Sequence, residues 1–352
     1  MHSMDIDFLE RQSIPTVMSG NLQRLGRYQG KQELLFNRRP ELLKTLRHQA
    51  MIQSVESSNR IEGIIVPEKR LKEILSDRDK PKNRSEEEVV GYRNVLAEIH
   101  LNYKKIDITP EEIRKMHKKM FDLTGRPQGA WKNKDNTIEE RLPDGMWVTR
   151  FAPVSARETP YYMDELCKRF NRLWNEERVD RLFVCLAFIF DFLCIHPFSD
   201  GNGRMSRLLT VLLLHKIEYD IPRFISLERL IEDTKEFYYD VLKETSTGWH
   251  ESKHFLSSWF GYHVTLLIKA YKELEEKAGS IILEKGEKTT WILEAIRGLP
   301  PEFCIGDLIR LCPGVSRPMI RVVLEDLREE GKLTIEGLTR SAKWKKNQET
   351  KI

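Results

Sequence analysis

The amino-acid sequence predicts a mainly α-helical protein with a small separate domain at its carboxyl end. Three observations carry this prediction. Between residues 40 and 277, most segments place apolar residues at helical spacing. In that part, only NTIEERLPDGMWVT has the two short β-prone runs and the turn residues of a β-hairpin. The tail then changes to three short helical segments followed by a β-ribbon.

The composition indicates an ordinary globular protein. Of the 352 residues, 40% are apolar and 32% charged, enough for a hydrophobic core and two or three domains. The 58 basic and 54 acidic residues give a net charge of +4, so no global field marks a protein that coats nucleic acid or membrane. The 5 cysteines lack metal-type spacing, and we expect reduced thiols in a cytoplasmic protein.

No export signal or membrane span is expected. The amino terminus has charged residues where a signal peptide has its apolar core. The longest apolar run, Leu182 to Ile195, contains Asp191 and is shorter than the roughly 20 residues that a membrane helix needs. We therefore read this run as a buried helix of a protein without membrane partners.

The first clear helix is predicted from Pro40 to Glu62, after an irregular start. Its apolar residues are close to helical spacing, and Gly63 follows as a C-cap. Ser85, which is followed by glutamates, predicts the start of a second helix. Thr109 and Pro110 predict a third start in the same way.

Helical periodicity disappears between Gly129 and Pro160. There, Pro143, Asp144 and Gly145 separate two β-prone runs and predict a hairpin over Asn136–Thr149. Helices are then predicted for TPYYMDELCKRFNRLWNEE, the buried run described above, the segment that carries Arg204 and Arg207, DTKEFYYDVLKET, and roughly Lys253–Lys277.

These elements divide into four regions. We expect an amino-terminal region over residues 1–84, a helical core over 85–250, a connecting helix over 251–285 and a small domain over 286–352. In the small domain, TTWILEAIRGL, FCIGDLIRLC, SRPMIRVVLEDLREEG and the KLTIEG ribbon have the order of a winged helix.

The winged helix raises the question of DNA binding. Its third helix begins with Arg317 and Arg321, and the ribbon carries Arg340, Lys343, Lys345 and Lys346, a placement that suits a major groove and its phosphates. The far half of that helix is acidic, with Glu325, Asp326, Glu329 and Glu330. DNA binding, protein docking and a purely architectural role therefore stay open.

The stretch HPFSDGNGRMSR, residues 196–207, has a charge pattern that indicates an anion site. Arg204 and Arg207 fall in the first turns of a helix, where the helix end is already positive. Gly201, Asn202 and Gly203 present backbone N–H groups at the same end with little obstruction. Because guanidinium groups match phosphate oxygens in pairs, we predict a polyphosphate as the anion.

Two neighbouring residues complete the predicted chemistry. Asp200 can cap the helix and face a phosphate-bound Mg²⁺, which prefers oxygen ligands. His196 lies beside the cradle, where a neutral imidazole takes a proton from an attacking hydroxyl.

The same stretch resembles the signature of the Fic family, H-P-F-x-D-G-N-G-R-x-x-R, at every fixed position, and looser similarity extends from about Ser85 to Thr245. Most Fic proteins transfer AMP from ATP to a Ser, Thr or Tyr hydroxyl of a target protein. The resemblance implies a Fic-type helical bundle that uses ATP as substrate and Mg²⁺ as cofactor. The Gly-Asn-Gly-Arg stretch favours nucleotidyl transfer over the phosphorylation carried out by the related Doc-type kinases.

The resemblance also assigns roles to the signature residues. It implies that His196 is the general base and that Asp200 is the magnesium ligand. The implied anion hole consists of Gly201, Asn202 and Gly203, and Arg204 and Arg207 are implied to bind the outer phosphates.

Two features outside the signature follow from the resemblance. The hairpin at Asn136–Thr149 corresponds to the flap that holds the target segment as an added strand. Tyr238 and Tyr239 lie where relatives line the adenine pocket, although aromatic residues at this spacing also suit a helix core. Some relatives have Asn where this chain has Ser246.

Glu62 is a negative residue at the end of a helix that is already negative, so it needs a cationic partner. The stretch from Ser58 to Gly63, SNRIEG, matches the inhibitory motif [S/T]-x-x-x-E-[G/N] of Fic proteins. The resemblance implies that Glu62 pairs with Arg207 and competes there with the γ-phosphate of ATP. The sequence therefore predicts an enzyme that inhibits itself within one chain.

The leading interpretation is a self-inhibited protein adenylyltransferase. One alternative is a DNA-binding regulator whose Fic core only senses nucleotide. Another is a hydrolase that removes AMP, with Glu62 orienting a water. The target protein and the oligomeric state, including a homodimer, stay open.

Overall fold

A computed structural model describes residues 3–38, 40–76, 78–125, 128–141, 145–280, 287–312, 315–337 and 343–347. The chain forms two compact units, Met1–Glu273 and Leu274–Ile352. The boundary lies inside the predicted connecting segment 251–285. Within the ranges given above, no helix combines the length and the apolar content that a membrane span needs.

Four helices precede the predicted core: α1 (Ile6–Glu10), α2 (Thr16–Arg38), α3 (Pro40–Ile61) and α4 (Glu68–Leu75). The expectation of an irregular start was therefore wrong. Helix α2 contains three glycines. Its Gln29 and Gln32 side chains donate to the carbonyl oxygens of Ile217 and Glu218, so distant residues stabilise this helix.

The core of the first unit contains seven further helices: α5 (Arg84–Asn102), α6 (Pro110–Phe121), α7 (Thr159–Glu176), α8 (Arg181–Ile195), α9 (Asn202–Lys216), α10 (Leu227–Glu232) and α11 (Lys235–Ser246). The unit boundary falls within α12 (Ser257–Ser280). Helix α8 packs between α7 and α9, and every residue from Leu182 to Ile195 is buried. The predicted mainly α fold is confirmed.

The helix starts follow capping chemistry, with one correction. Thr109 caps α6 as predicted, because its hydroxyl accepts from the Glu112 N–H. Helix α5 is capped by Asn83, whose side-chain oxygen accepts from the Glu86 N–H at 3.0 Å. Ser85 therefore lies inside this helix and does not begin it.

The predicted hairpin consists of β1 (Ile138–Arg141) and β2 (Trp147–Phe151). The strands are antiparallel, and Arg141 pairs with Trp147. Two of the predicted turn residues, Pro143 and Asp144, lie outside the described residues.

The second unit contains α13 (Glu287–Gly298), β3 (Glu302–Cys304), α14 (Ile305–Leu311), α15 (Arg317–Glu329), β4 (Leu333–Glu336) and β5 (Lys343–Lys346). Its sheet has the antiparallel order β3-β5-β4. Strand β3 was not predicted, and it adds Phe303 to a core with Ile292, Leu308 and Trp344. Three helices with a ribbon are the elements that the winged-helix prediction describes.

Candidate active site

His196 follows α8 directly and has a left-handed backbone conformation, with φ 52° and ψ 61°. This region is unfavourable for a residue with a Cβ by about 1–2 kcal/mol. The N–H of His196 donates to the Phe192 carbonyl oxygen at 3.0 Å, which closes the last helical turn. The chain then turns away from α8 with the imidazole half-buried.

The loop after His196 is closed by the Asn202 side chain. Its Oδ1 accepts from the Phe198 N–H at 2.9 Å, and its Nδ2 donates to the Phe198 carbonyl oxygen at 2.7 Å. The Phe198 ring stacks on His117 at a centroid distance of 3.7 Å. The amide of Asn202 therefore holds the loop, and only its backbone N–H remains for an anion.

Helix α9 begins without a side-chain cap. Its N-cap is Gly201, with φ 82°, and there is no side-chain cap hydrogen bond; the prediction that Asp200 caps the helix was therefore wrong. A Cβ on Gly201 would lie 2.9 Å from the Phe121 ring, so only glycine fits here. The first N–H groups of a helix have no partner within it, and this end of α9 is positive.

The structure brings Arg207 together with the predicted inhibitory residues. Arg207 is buried, and its Nε donates to the Ser58 hydroxyl at 2.8 Å. Its Nη2 donates to the Ser58 carbonyl oxygen at 2.9 Å and to Glu62 Oε1 at 2.7 Å. Helix α3 ends at Ile61, one residue earlier than predicted, and the left-handed Gly63 follows Glu62.

The Glu62 carboxylate lies directly against the start of α9. A Cβ added to Gly203 would overlap Glu62 Oε1, so the absence of a side chain at this position lets the carboxylate approach. Burial opposes ionisation of Glu62, but Arg207, Arg204 and His196 outweigh it and lower its pKa. Glu62 is therefore an anion bound where the sequence predicts a phosphate.

Arg204 lies deeper than Arg207 and has a different partner. It is 1% exposed, and its Nη1 donates to Glu88 Oε2 of α5 at 2.6 Å. Its guanidinium carbon lies 4.8 Å from the centroid of the Phe121 ring. Contact between Arg204 and an outer phosphate stays a prediction.

Asp200 is available to a cation. Its side chain is 53% exposed, with Arg204 Nη2 at 3.6 Å and Arg84 Nη2 at 3.5 Å. In the described part of the chain, no three His, Cys, Asp or Glu side chains form a metal cluster. One exposed carboxylate beside a phosphate site fits Mg²⁺, which typically binds one or two carboxylates plus phosphate oxygens.

The surroundings of His196 keep its imidazole neutral. Burial and then the charge of Lys132 lower its pKa to about 4, although the Leu193 carbonyl and Glu62 act in the opposite direction. A histidine with this pKa is unprotonated at pH 7, so it can accept a proton.

The two tyrosines of α11 have different environments. Tyr238 is 4% exposed, in an aromatic cluster with Trp259 and Tyr262. Tyr239 is half-buried, and the Arg150 guanidinium of β2 lies 5.5 Å from its ring centroid. Burial raises the pKa of both phenols. Tyr238 is thus a core residue, whereas Tyr239 lies beneath the hairpin; a role for either in adenine binding stays a prediction.

Sequence reasoning missed Glu88, Lys132 and Arg150 near the site. Glu88 is one of three consecutive glutamates, and only its pairing with Arg204 distinguishes it. Lys132 is buried beside the His196 loop. Arg150 is half-buried on β2, next to the exposed Thr149. The alternation of exposed and less exposed positions along this strand could have placed Arg150 on its inward face.

In the second unit, the ribbon lysines have partners of their own. Lys345 Nζ lies 3.0 Å from both Glu302 and Glu336, and Lys346 Nζ donates to the Leu299 carbonyl oxygen at 2.6 Å. Arg317 and Arg321 are exposed, and Arg340 lies outside the described residues. Binding of this unit to DNA stays a prediction.

Comparison with known proteins relates the first unit to one family. Residues 107–214 match the model of the Fic/DOC family. The Protein adenylyltransferase Fic of Drosophila erecta is 26% identical over 215 residues, which are 58% of this chain and 39% of that protein. The Drosophila melanogaster protein of the same name gives the same values. This chain therefore aligns with about two fifths of the length of the curated relatives it matches.

Two solved structures share the fold. A Fic family protein from Desulfovibrio desulfuricans G20 has a TM-score of 0.61 at 18% identity, covering 97% of this chain and 98% of that one. A Fic domain containing signaling protein from Bacteroides thetaiotaomicron VPI-5482 has a TM-score of 0.61 at 22% identity, covering 76% of this chain and 100% of that one. The family match over residues 107–214 includes the complete signature from His196 to Arg207, so this part of the chain is a Fic/DOC family domain.

Proposed function

We propose that this protein transfers AMP from ATP to a hydroxyl group of a target protein, and that Glu62 inhibits the transfer. One observation carries the proposal. The Glu62 carboxylate is bonded to Arg207 and lies against Gly203 at the start of α9. A site that holds one anion between a guanidinium and free helical N–H groups suits the phosphates of a nucleotide.

His196 supplies the proton acceptor for the reaction. The hydroxyl oxygen of the target forms a bond to the α-phosphorus, the bond from that phosphorus to the β-phosphate oxygen breaks, and pyrophosphate leaves. The imidazole of His196 takes the hydroxyl proton. Because nearby negative charge favours the protonated imidazole, a bound polyphosphate would raise the low pKa of His196 and make it a stronger base.

Charge stabilisation comes from the helix start and the arginines. Arg207 and the N–H groups of Gly203 and its neighbours would bind the leaving phosphates, in a site that is already organised around an anion. Asp200 would hold Mg²⁺, which supplies neutralisation of phosphate charge.

Inhibition follows from competition for one cation. Arg207 cannot hold both the Glu62 carboxylate and a terminal phosphate in the same direction. Lys235 Nζ donates to the Ile61 carbonyl oxygen at 2.8 Å, which holds the end of α3 beside the site. We therefore expect ATP to bind the resting protein in a poor position for transfer.

The β1–β2 hairpin is the proposed binding site for the target. Met146 and Trp147 are 60% and 65% exposed at its tip end, and a two-stranded sheet has free edges that can accept another strand. A peptide with a Ser, Thr or Tyr residue would thus reach His196 from the side of the flap.

Intact-mass measurement after incubation with ATP and Mg²⁺ tests the proposal. We expect little added AMP on the wild-type chain and clear self-modification of Glu62→Gly. The double variant Glu62→Gly/His196→Ala should lose transfer by about 10²–10⁴-fold, the usual contribution of a general base, and should still bind ATP.

Two outcomes would contradict the proposal. If Glu62→Gly binds ATP but gains no AMP on itself or on added lysate proteins, a nucleotide-sensing role is favoured. If the double variant Glu62→Gly/His196→Ala loses ATP binding as well as transfer, His196 has a structural role.

A further inference from the structure

Lys132 contacts the carbonyl oxygens of the residues before and after His196. The residue is only 3% exposed. Its Nζ donates to the Ile195 carbonyl oxygen at 3.1 Å, and its backbone N–H donates to the Pro197 carbonyl oxygen at 2.8 Å. One residue thus fixes the carbonyl groups immediately before and after His196.

Asn136 extends this attachment. Its Oδ1 accepts from Lys132 Nζ at 2.8 Å, and its Nδ2 lies 3.4 Å from the Phe198 carbonyl oxygen as a donor. Strand β1 begins two residues later, at Ile138. The segment 132–136 therefore connects the base of the flap to the loop that holds His196.

The position of the ammonium group has an electrostatic reason. The Ile195 carbonyl belongs to the last turn of α8, where unpaired carbonyls form the negative end of the helix. Among the described residues, Lys132 has no carboxylate at ion-pair distance. Burial lowers its pKa to about 8, with Asp135 acting in the opposite direction, so Lys132 is mostly charged at pH 7.

His196 therefore lies beside a buried cation. The charged groups that act on its imidazole are Lys132, Glu62 after α3 and Arg150 on β2. Lys132 is the one attached to the His196 loop by hydrogen bonds. Its charge disfavours protonation of the imidazole, and its hydrogen bonds oppose relaxation of the left-handed backbone of His196.

We propose that Lys132 is a positioning residue of the transfer reaction, which clamps the His196 loop to the base of the flap and disfavours protonation of the imidazole. The proposal rests on the proposed function for its catalytic meaning. Its electrostatic part concerns the free protein, and it can be tested without any transfer activity.

Titration of His196 by NMR in the nucleotide-free protein tests the electrostatic part. The ring signals are assigned from their loss in His196→Gln. In Lys132→Met, which keeps the length of the side chain and removes the charge, the pKa of His196 should rise by about one unit. Lys134→Met is the matched control, because Lys134 is an exposed lysine in the same segment, and it should leave the titration unchanged.

The wild-type chain provides a second readout that needs no substitution at Lys132. As Lys132 loses its proton near pH 8, the His196 ring signals should show a second inflection there, in the wild type and in Lys134→Met. If Lys132→Met folds and the pKa of His196 is unchanged in it, the electrostatic part is overturned. If Lys132→Met does not fold, the absence of a second inflection in the wild type overturns it.

The clamp is tested by transfer rates in the Glu62→Gly background. Lys132→Met should reduce self-modification at least tenfold with ATP affinity unchanged, and should move the acid limb of the pH–rate profile upward. Lys132→Arg, which keeps the charge, should recover part of the rate and the original limb. If Lys132→Met has a reduced transfer rate but the same acid limb of the pH–rate profile, Lys132 acts only as a structural clamp, which contradicts the proposal. If no variant transfers AMP, the proposed function fails while the NMR result still decides the electrostatic part.

Discussion

At the residue scale, the backbone conformation of His196 depends on hydrogen bonds from its neighbours. Its left-handed conformation is unfavourable, so neighbouring hydrogen bonds must hold it. Lys132 bonds the carbonyls on either side, and Asn202 closes the loop through both polar groups of Phe198. Asn202 is part of the family signature, and in this structure its side chain stabilises the loop from within the protein.

At this scale we predict that Asn202→Ala destabilises the protein by about 2 kcal/mol. The substitution leaves the buried N–H and carbonyl of Phe198 without their partner. Urea unfolding followed by tryptophan fluorescence measures the loss. Asn175→Ala, at an exposed position of α7, should stay within about 0.5 kcal/mol of wild type; similar losses in both variants would contradict a loop-closing role for Asn202.

At the scale of elements, helices α3 and α5 meet the start of α9. Ser58 of α3 and Glu62, just after α3, both bind Arg207. Glu88 of α5 binds Arg204. The two signature arginines thus attach α9 to two different helices. The pair between Arg204 and Glu88 is almost fully buried, with 1% and 3% exposure of the side chains.

For these elements we predict that Glu88→Ala destabilises the protein by about 3–5 kcal/mol, because a buried ion pair that loses one member leaves a buried charge. Arg204 would keep only the longer contact with Asp200, at 3.6 Å, as an ion pair among the described residues. The control is Glu98→Ala on the same helix, where the pair with Lys119 is exposed by 40% and 44% and should contribute less than about 1 kcal/mol. Denaturant midpoints measure both variants. Equal losses would mean that Arg204 finds another partner or reaches water.

For the whole molecule, several buried histidines determine how stability responds to acid. Burial lowers the pKa of His117 and His263 to about 4 and that of His100, beside His215, to about 3. In the unfolded chain, each has an ordinary pKa near 6.5. Between pH 6.5 and 4 these histidines therefore bind more protons in the unfolded state, and their contribution lowers stability as the pH falls. Asp191, whose pKa burial raises to about 6, acts in the opposite direction.

We expect the free energy of unfolding to decrease from pH 7 to pH 5, by up to about 1.4 kcal/mol per pH unit for each of these histidines once the pH is below 6.5. Urea unfolding of the full chain at several pH values measures the slope. His263→Gln removes one of these groups and should make the slope smaller. A stability that does not change between pH 7 and pH 5 would contradict this prediction.

The sequence predicted best where the cause of structure is local. Thr109 and Pro110 begin α6, and the apolar run from Leu182 to Ile195 forms α8 as expected. The prediction from sequence failed for α2, a glycine-containing helix that is stabilised by hydrogen bonds to the carbonyl groups of residues 217 and 218. The order of helices and strand runs could therefore be predicted, but not the elements that depend on distant partners.

By itself, the sequence determined the mainly helical class and the signature from His196 to Arg207, and its resemblance to the Fic family implied the pairing of Glu62 with Arg207. Consecutive residues and short motifs specify the helical class and the signature, because helical spacing, capping and charge at a helix end act over a few positions. Only the tertiary structure decided that Arg204 binds Glu88 and that Lys132 holds the His196 loop. These partners lie 116 and 63 residues apart in the chain, and burial converts their ordinary charges into specific contacts.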